Sequence, residues 1–421
     1  MGNPLKLLTI TSLYPNSRNP NFGIFIRNRL LALRHYHSDI EHTVIAPVPW
    51  FPWRNKIFGK YAEYAQVPSD EVVDGVHIYH PKYLVVPKLG MIFTPFFMAL
   101  SLIKTMRKIH KTGSLYDVID GHYFYPDGVA VAIVGKLYKI PFTLSARGSD
   151  LNLLPSYSIP RKMIQWSAKC ADHCITVSQA LRDVLIGLGI DRSKITVIRN
   201  GVDLNLFTPS TDRENNRKLL TSKKFIIVSV GNLVPLKGHD LIIRAVAKID
   251  DAQLFLIGEG PRKENLQALA IAEGVADRIT FLGRLKQSQV AEYFQIADVS
   301  ILASSREGWA NVLLESLACG TPVIATKVGG NPEIIADHTV GILIERDYNS
   351  IVEAIRQIKS YGLCRDTIRN YAEKFDWQEV SNKQYQIFCN LSVSSKTQCV
   401  NIGVNKPDRE VNSVVEDIKH D

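Results

Sequence analysis

Short apolar runs recur along the chain, each followed by a polar or glycine-bearing turn and then by a segment of helical period. Residues 5–11 open the series as a strand, and the polar turn 14–23 feeds a helix over about 24–34. A second strand is expected at 42–47, an edge strand at 75–80 and a long helix at 93–110. That helix closes on Lys104, Arg107, Lys108 and Lys111, which suit a helix C-terminus. Strands at 117–120, 141–145, 173–177 and 195–198 complete a first set, with a helix at 178–188 before the last of them. The alternation restarts at 225–230, a continuous apolar strand of the kind covered on both faces. Strands at 254–257, 279–282, 299–302 and 322–325 follow, with helices at 240–248, 312–318 and 351–371. Strands alternating with helices imply parallel sheets, and two such series imply an α/β protein of two Rossmann-like domains facing a cleft. The expected divisions are 1–203, 204–375, a helix over 376–391 begun by Phe375-Asp376-Trp377, and a mobile polar tail at 392–421.

Composition changes this picture in three places. The net charge of +9 is uneven: residues 1–200 carry about +11 and the remainder about −2. A basic first half suits an anionic partner such as a lipid pyrophosphate, a membrane surface or a nucleic acid, and equally a solvated basic surface. Within it, 48–64 mixes Trp50, Phe51, Trp53, Phe58 and Tyr61 with Arg54, Lys56 and Lys60. Such a stretch can lie at a bilayer interface, stack on nucleic acid, or fold back on its own domain. The six cysteines show no disulfide or zinc spacing, which fits a reducing cytosol. No secretory leader is legible, and the longest apolar run, 89–103 with Pro95 inside it, is short for a membrane span, so a core helix is expected there, with an interfacial helix as the second reading.

The chemistry concentrates in 304–326. A turn at Arg306-Glu307-Gly308 precedes a short helix that Asn311 can cap, and Gly320 suits the left-handed position past its end. Small residues around Gly308 leave the N–H groups from Gly308 to Val312 open at a helix start, which is a ready anion site. Glu307 and Glu315 flank that site. Carboxylates beside an anion bind neutral hydroxyls, including vicinal diols. An anion between diol-binding carboxylates describes a sugar nucleotide.

Glu307 and Glu315, seven residues between them, resemble the Glu-x7-Glu signature of the family-4 retaining glycosyltransferases, which have the GT-B fold. Three further stretches resemble that family in order and spacing: 230–238 its phosphate loop, 200–203 its interdomain hinge and 328–333 its late Gly-Gly turn. The resemblance spans roughly residues 5–390. It implies a nucleoside-diphosphate sugar as donor, held by the second domain, and an acceptor on the first. No cofactor is implied beyond that substrate.

The same resemblance assigns site residues. Lys237 meets the diphosphate, Glu307 the sugar hydroxyls and Glu315 the ribose. Gly23 lies in a loop over donor and acceptor, and Arg284 near the base. His122, at the end of a strand, corresponds to a histidine of the donor-sugar pocket. Asn232 stands where the family carries an arginine, so either another group such as Arg147 or Arg284 compensates or phosphate binding is weaker. Arg147, also at a strand end, can meet a phosphate or the acceptor, or pair with Asp150. No Asp-x-Asp occurs in the chain, so no metal site is expected. A lipid-linked, anionic acceptor and peripheral membrane association on the cytosolic face are expected, with no nucleic acid. The competing class is a non-catalytic binder of sugar nucleotides or nucleic acid.

Overall fold

The structure, a computed structural model, describes residues 4–403 except 53–54, 56, 58–59, 86–89, 112, 114 and 221–224. The first domain runs through β1 (Leu5–Ile10), α1 (Ile24–Tyr36), β2 (Ile40–Ile45), β3 (Val48–Pro49), α2 (Lys60–Gln66), β4 (Asp70–Val73), β5 (Val76–Tyr79) and β6 (Lys82–Tyr83). It continues with α3 (Gly90–Lys111), β7 (Val118–His122), α4 (Asp127–Tyr138), β8 (Phe142–Ala146), α5 (Ser149–Asn152), α6 (Ser158–Cys170), β9 (His173–Thr176), α7 (Gln179–Gly187) and β10 (Ile195–Val197). The second comprises α8 (Arg213–Leu220), β11 (Phe225–Val230), α9 (His239–Val246), β12 (Ala252–Ile257), α10 (Lys263–Ala272), β13 (Ile279–Gly283), α11 (Gln287–Ile296) and β14 (Val299–Leu302). After it come α12 (Asn311–Ala318), β15 (Val323–Thr326), α13 (Asn331–Ile334), β16 (Gly341–Ile344), α14 (Tyr348–Tyr361), α15 (Arg365–Ala372) and α16 (Trp377–Gly403).

The first sheet has the order β10-β9-β8-β7-β1-β2-β5-β4, parallel except for the β4–β5 hairpin. The second, β13-β12-β11-β14-β15-β16, is parallel throughout. Strands β7, β8, β12 and β15 are buried along their whole length, because helices cover both faces. That is the physical origin of the continuous apolar runs.

Two chain crossings join the domains side by side. Val202 N–H donates to the Phe375 carbonyl at 3.0 Å, and a Cβ on Gly201 would lie 2.8 Å from the Trp377 ring. The hinge and the start of α16 are thereby packed as one. Helix α16 then returns to the first domain. Its Phe388 is fully buried among Leu5, Leu7, Leu33, Ile40 and Val118. Tyr385 stacks on His37 at 3.9 Å, and its hydroxyl bonds Asp39.

Five expectations change. The edge strand is β4; β5 is interior, paired with β2. The polar stretch 205–222, whose composition reads as a connector after the hinge, contains α8, whose Arg213 and Arg217 pair with Asp298. The helix expected over 351–371 divides into α14 and α15 at Gly362, which adopts φ 57°. Helix α16 does not end near 391 but continues to Gly403, so the expected tail begins inside it, while 404–421 lie outside the described residues. The apolar run 89–103 is only half a core element: α3 buries Met98, Ala99 and Leu102 but exposes Phe93, Phe96 and Leu100. Of the aromatic and basic stretch 48–64, Trp53, Arg54, Lys56 and Phe58 lie outside the described residues.

Truncating Phe388 to Ala should cost about 3–5 kcal/mol, the usual range for a buried aromatic side chain. Urea unfolding followed by far-ultraviolet circular dichroism measures it. A loss under about 1 kcal/mol would mean that α16 does not dock on the first sheet.

Candidate active site

The carboxyl edges of β11 and β14 are adjacent, and the two loops leaving them build the centre of the site. The loop after β11 tightens into a 3-10 turn at Pro235–Lys237 and leaves through Gly238 at φ 66°. The loop after β14 carries Glu307. Lys237 Nζ and Glu307 Oε1 meet at 2.6 Å, so the two charged groups that the sequence places on separate motifs form one part-buried ion pair.

Gly308 brings the first domain onto this pair. A Cβ at Gly308 would lie 2.4 Å from the Arg147 carbonyl oxygen and 2.6 Å from the Gly148 Cα. Only glycine allows the two backbones to approach so closely. Beside it, Asn152 Nδ2 donates to the Glu307 carbonyl at 2.9 Å. Helix α12 starts three residues later. Its N-cap is Ala310, without a side-chain cap, and Asn311 is its first helical residue. The Asn311 side chain instead accepts from Asn200 Nδ2 of the hinge at 3.1 Å. Val312 follows, part-buried, in the first turn of the helix.

Glu315 is part-buried one turn further on. Burial pushes its carboxyl up to about 7, against a hydrogen bond from Gln287 that lowers it. Gln287 Oε1 in turn accepts from Asn28 of α1 at 3.4 Å, a long contact. Arg284 stands exposed at the end of β13 and pairs with Glu259 at 3.4 Å. Asn232 is exposed at the outer end of the Lys237 loop. These residues share one rim of the second sheet.

His122 needs correction. The His122 ring is fully buried. Nε2 donates to Asp120 Oδ2 at 2.8 Å, and Nδ1 accepts from Arg147 Nε at 3.1 Å. Both nitrogens are used inside the protein, so the ring has no donor left for a sugar hydroxyl. Burial pushes it down to about 4, which keeps it neutral at pH 7. Gly23, at φ 67°, is demanded by its own chain: a Cβ there would lie 2.2 Å from the Leu13 carbonyl oxygen. Arg147 does not form its expected side-chain pair with Asp150. The Asp150 carboxylate caps backbone N–H groups of Phe124, Arg147 and Gly148.

Three residues not foreseen complete the surroundings. Asp120 lies two positions before His122 on β7, a period-2 spacing that puts both on one face and was legible. Gln384 reaches Asp120 from α16 at 3.3 Å. Glu333 of α13 accepts from Gln179 N at 2.6 Å at the start of α7 and from Arg199 at 2.6 Å, which ties the late Gly-Gly turn to the first domain.

Comparison with known proteins decides what this architecture is. A family model described as glycosyl transferases group 1 matches residues 210–375, and one described as glycosyltransferase family 4 matches 39–206. A putative teichuronic acid biosynthesis glycosyltransferase of Bacillus subtilis is 31% identical over 406 residues, covering 92% of this chain and 100% of that protein. The chain belongs to the family-4 glycosyltransferases. An N-acetyl-alpha-D-glucosaminyl L-malate synthase of Bacillus anthracis is 31% identical over 278 residues, 63% of this chain and 71% of that one. Among solved structures, the sucrose-phosphate synthase of Thermosynechococcus elongatus aligns with a TM-score of 0.77 at 18% identity, over 93% of this chain and all of that one. HepE of Anabaena, in complex with UDP, aligns with a TM-score of 0.68 at 19% identity over 92% of this chain and all of its own. The fold is thus GT-B, and the protein is a glycosyltransferase.

For a glycosyltransferase with Glu315 near 7, nucleotide binding should depend on pH. A ribose diol donates both hydroxyls to a carboxylate, whereas the protonated acid keeps only part of that acceptor capacity and no charge, so affinity for UDP, GDP or ADP should rise between pH 6 and 8. The nucleotide's own phosphate titrates in both wild type and Glu315→Gln, so the difference between them isolates the carboxyl. Calorimetry at three pH values that gave parallel curves for the two proteins would exclude Glu315 from the ribose site.

Proposed function

We propose that this glycosyltransferase is a retaining, metal-independent hexosyltransferase that moves a sugar from a nucleoside-diphosphate donor to a lipid-linked acceptor in polysaccharide or glycolipid synthesis. The observation that carries the reading is the Lys237–Glu307 pair, set beside the start of α12 and covered by Gly148 of the opposite domain. In the empty site each charge neutralises the other. A donor diphosphate takes Lys237, and Glu307 is released to accept hydrogen bonds from the sugar. Loss of the diphosphate builds negative charge that Lys237 and the N–H groups near Gly308 to Val312 stabilise. Lys237 then does what a metal ion would do, in keeping with the absence of Asp-x-Asp from the sequence. The relatives support the substrate classes: one is named for teichuronic acid biosynthesis, and HepE is described in complex with UDP-glucose.

Lys237→Ala should lose roughly 2–4 kcal/mol of transition-state stabilisation, a hundredfold or more in turnover. A panel of UDP-, GDP- and ADP-sugars, assayed for hydrolysis and transfer, both finds the donor and tests the variant. Near-normal turnover would place the diphosphate elsewhere. Asn232→Arg should improve donor binding, because it adds a cation to the same loop.

The acceptor side is argued from the first domain. A cavity of about 180 Å³ opens next to the loop after β1, lined by Asn16, Arg18, Phe22, Glu63 and Tyr64 among others. Phe93, Phe96 and Leu100 are exposed at helical spacing on α3, and Ile159 and Trp166 on α6, with α4 packed between the two helices. Lys104, Arg107, Lys111 and Lys162 continue these faces, and Lys136 lies 5.8 Å from the Trp166 ring centroid. Among the described residues no helix is long and apolar enough to cross a membrane. Apolar side chains bordered by bases suit reversible attachment to the cytosolic face of an anionic bilayer, each base contributing on the order of 1 kcal/mol. The protein should sediment with phosphatidylglycerol vesicles at low salt, be released at high salt, and ignore phosphatidylcholine. Leu100→Glu with Trp166→Glu should abolish sedimentation and leave nucleotide binding intact. If wild type ignores anionic vesicles at low salt, the acceptor is a soluble saccharide or small metabolite.

A further inference from the structure

Behind the ion pair, six side chains from five segments close a hydrogen-bonded ring. Arg29 Nε of α1 donates to Gln384 Oε1 of α16 at 2.6 Å. Gln384 Nε2 donates to Asp120 Oδ2 at 3.3 Å, which also accepts from His122 Nε2 at 2.8 Å. His122 Nδ1 accepts from Arg147, and Arg147 Nη1 reaches Asn200 Oδ1 at 3.4 Å. The same Asn200 oxygen accepts from Arg29 Nη1 at 3.2 Å, which closes the ring. From it Asn200 Nδ2 reaches out to Asn311 at the start of α12, while Arg29 also donates to the Ile198 carbonyl and Asp120 accepts from Thr143.

We propose that Arg147 is a further ligand of the donor diphosphate, and that Gln384, Asp120, His122 and Asn200 are positioning residues that aim it. The inference rests on the sugar-nucleotide reading of the site. Inside the ring two guanidiniums face one carboxylate, and the imidazole between them is neutral; the Asp150 carboxylate beside Arg147 is the nearest further counter-charge. A buried cation is costly unless counter-charge is close, and an anionic ligand would add to it. Arg29 is fully buried, its Nη2 has no hydrogen-bond partner, and its other nitrogens donate to Gln384, Asn200 and the Ile198 carbonyl. Arg147 is the ring's part-exposed cation, and its own backbone lies against Gly308. Its charge is therefore the one available at the opening shared with Lys237 and the start of α12. A diphosphate is the anion that would span all three.

Gln384 has a role only an amide can fill. It accepts from a guanidinium and donates to a carboxylate at once, whereas Glu would oppose Asp120 and Met would satisfy neither group. Asp120, held so, takes the Nε2 proton of His122 and leaves Nδ1 as an acceptor for Arg147. The C-terminal helix thereby sets the direction of a cation that it does not touch.

The test uses inorganic pyrophosphate, the part common to all nucleoside-diphosphate donors, titrated calorimetrically into the full chain. Arg147→Gln should weaken binding about tenfold or more, and Arg147→Lys should recover part of the loss. Gln384→Met and Asp120→Asn, both away from the ligand, should each weaken binding by roughly threefold to tenfold. Combined with Arg147→Gln they should add nothing, since they act through it. Unchanged affinity in Arg147→Gln, or additive losses in the double variants, would overturn the proposal. Thermal unfolding confirms that each variant is folded. Asp120→Asn reads the same coupling should Gln384→Met undock α16. Lys237→Ala separates the two levels of inference. If it weakens pyrophosphate and Arg147→Gln does not, only Arg147 is misassigned. If wild type does not bind pyrophosphate, the donor reading and this one fall together.

Discussion

The arrangement depends on a backbone-to-backbone contact across the cleft. Gly308 and Gly148 meet where any side chain would push the domains apart, and the glycines behind them continue the constraint. A Cβ at Gly329 would lie 1.8 Å from the Glu307 carbonyl oxygen, and one at Gly330 would lie 2.6 Å from that of Gly308. The 307–308 turn is thus held between two glycine-bearing turns, one from each domain. That fixes Glu307 against Lys237 and directs α12 at the hinge. Glu333 reinforces the contact by capping α7 and pairing with Arg199 of the first domain. An alanine at any of these glycines would displace backbone, which cannot yield as a flexible side chain can.

The strand series was legible because both sheets are parallel and covered on both faces, which makes each strand a continuous apolar run. The same burial hid α4. Its residues from Asp127 to Val134 are nearly all buried, so no polar face marks a helical period. β5 was misplaced as an edge because the short, polar β4 beyond it has exposed Asp70 and Val72 and no apolar alternation. The break between α14 and α15 rests on one left-handed glycine, Gly362, and a helical period continues through such a point without a visible gap.

The site was legible as motifs and not as a geometry. Glu307, Glu315 and Lys237 were singled out by resemblance to family motifs, and the two glutamates also because they flank a glycine-bearing helix start. Their pairing was not: Lys237 and Glu307 are 70 positions apart, and only the adjacency of β11 and β14 brings them together. His122 was read correctly as lying at a strand end and wrongly as reaching the cleft. Its partners come from β7, from the loop after β8 and, through Asp120, from α16. Nothing local in the sequence reports that convergence.

These two levels meet in the electrostatics. The front pair, Lys237 with Glu307, is neutral when empty, because the attraction between the two charges offsets part of the desolvation of each. The ring behind it holds two guanidiniums against Asp120, with Asp150 beside Arg147, and Gln384 and Asn200 tie that ring to α16 and the hinge. The segments that supply these two amides are the two chain crossings between domains, packed on each other through Gly201 and Trp377. An opening of the cleft about those crossings would move α12 away from Asn200 and Gly308 away from Arg147 together. The cation of the first domain and the helix start of the second therefore face a common anion only in the closed arrangement. Contact between the two domains is thus a condition of assembling the site, and a change in that contact is felt at both of its walls at once.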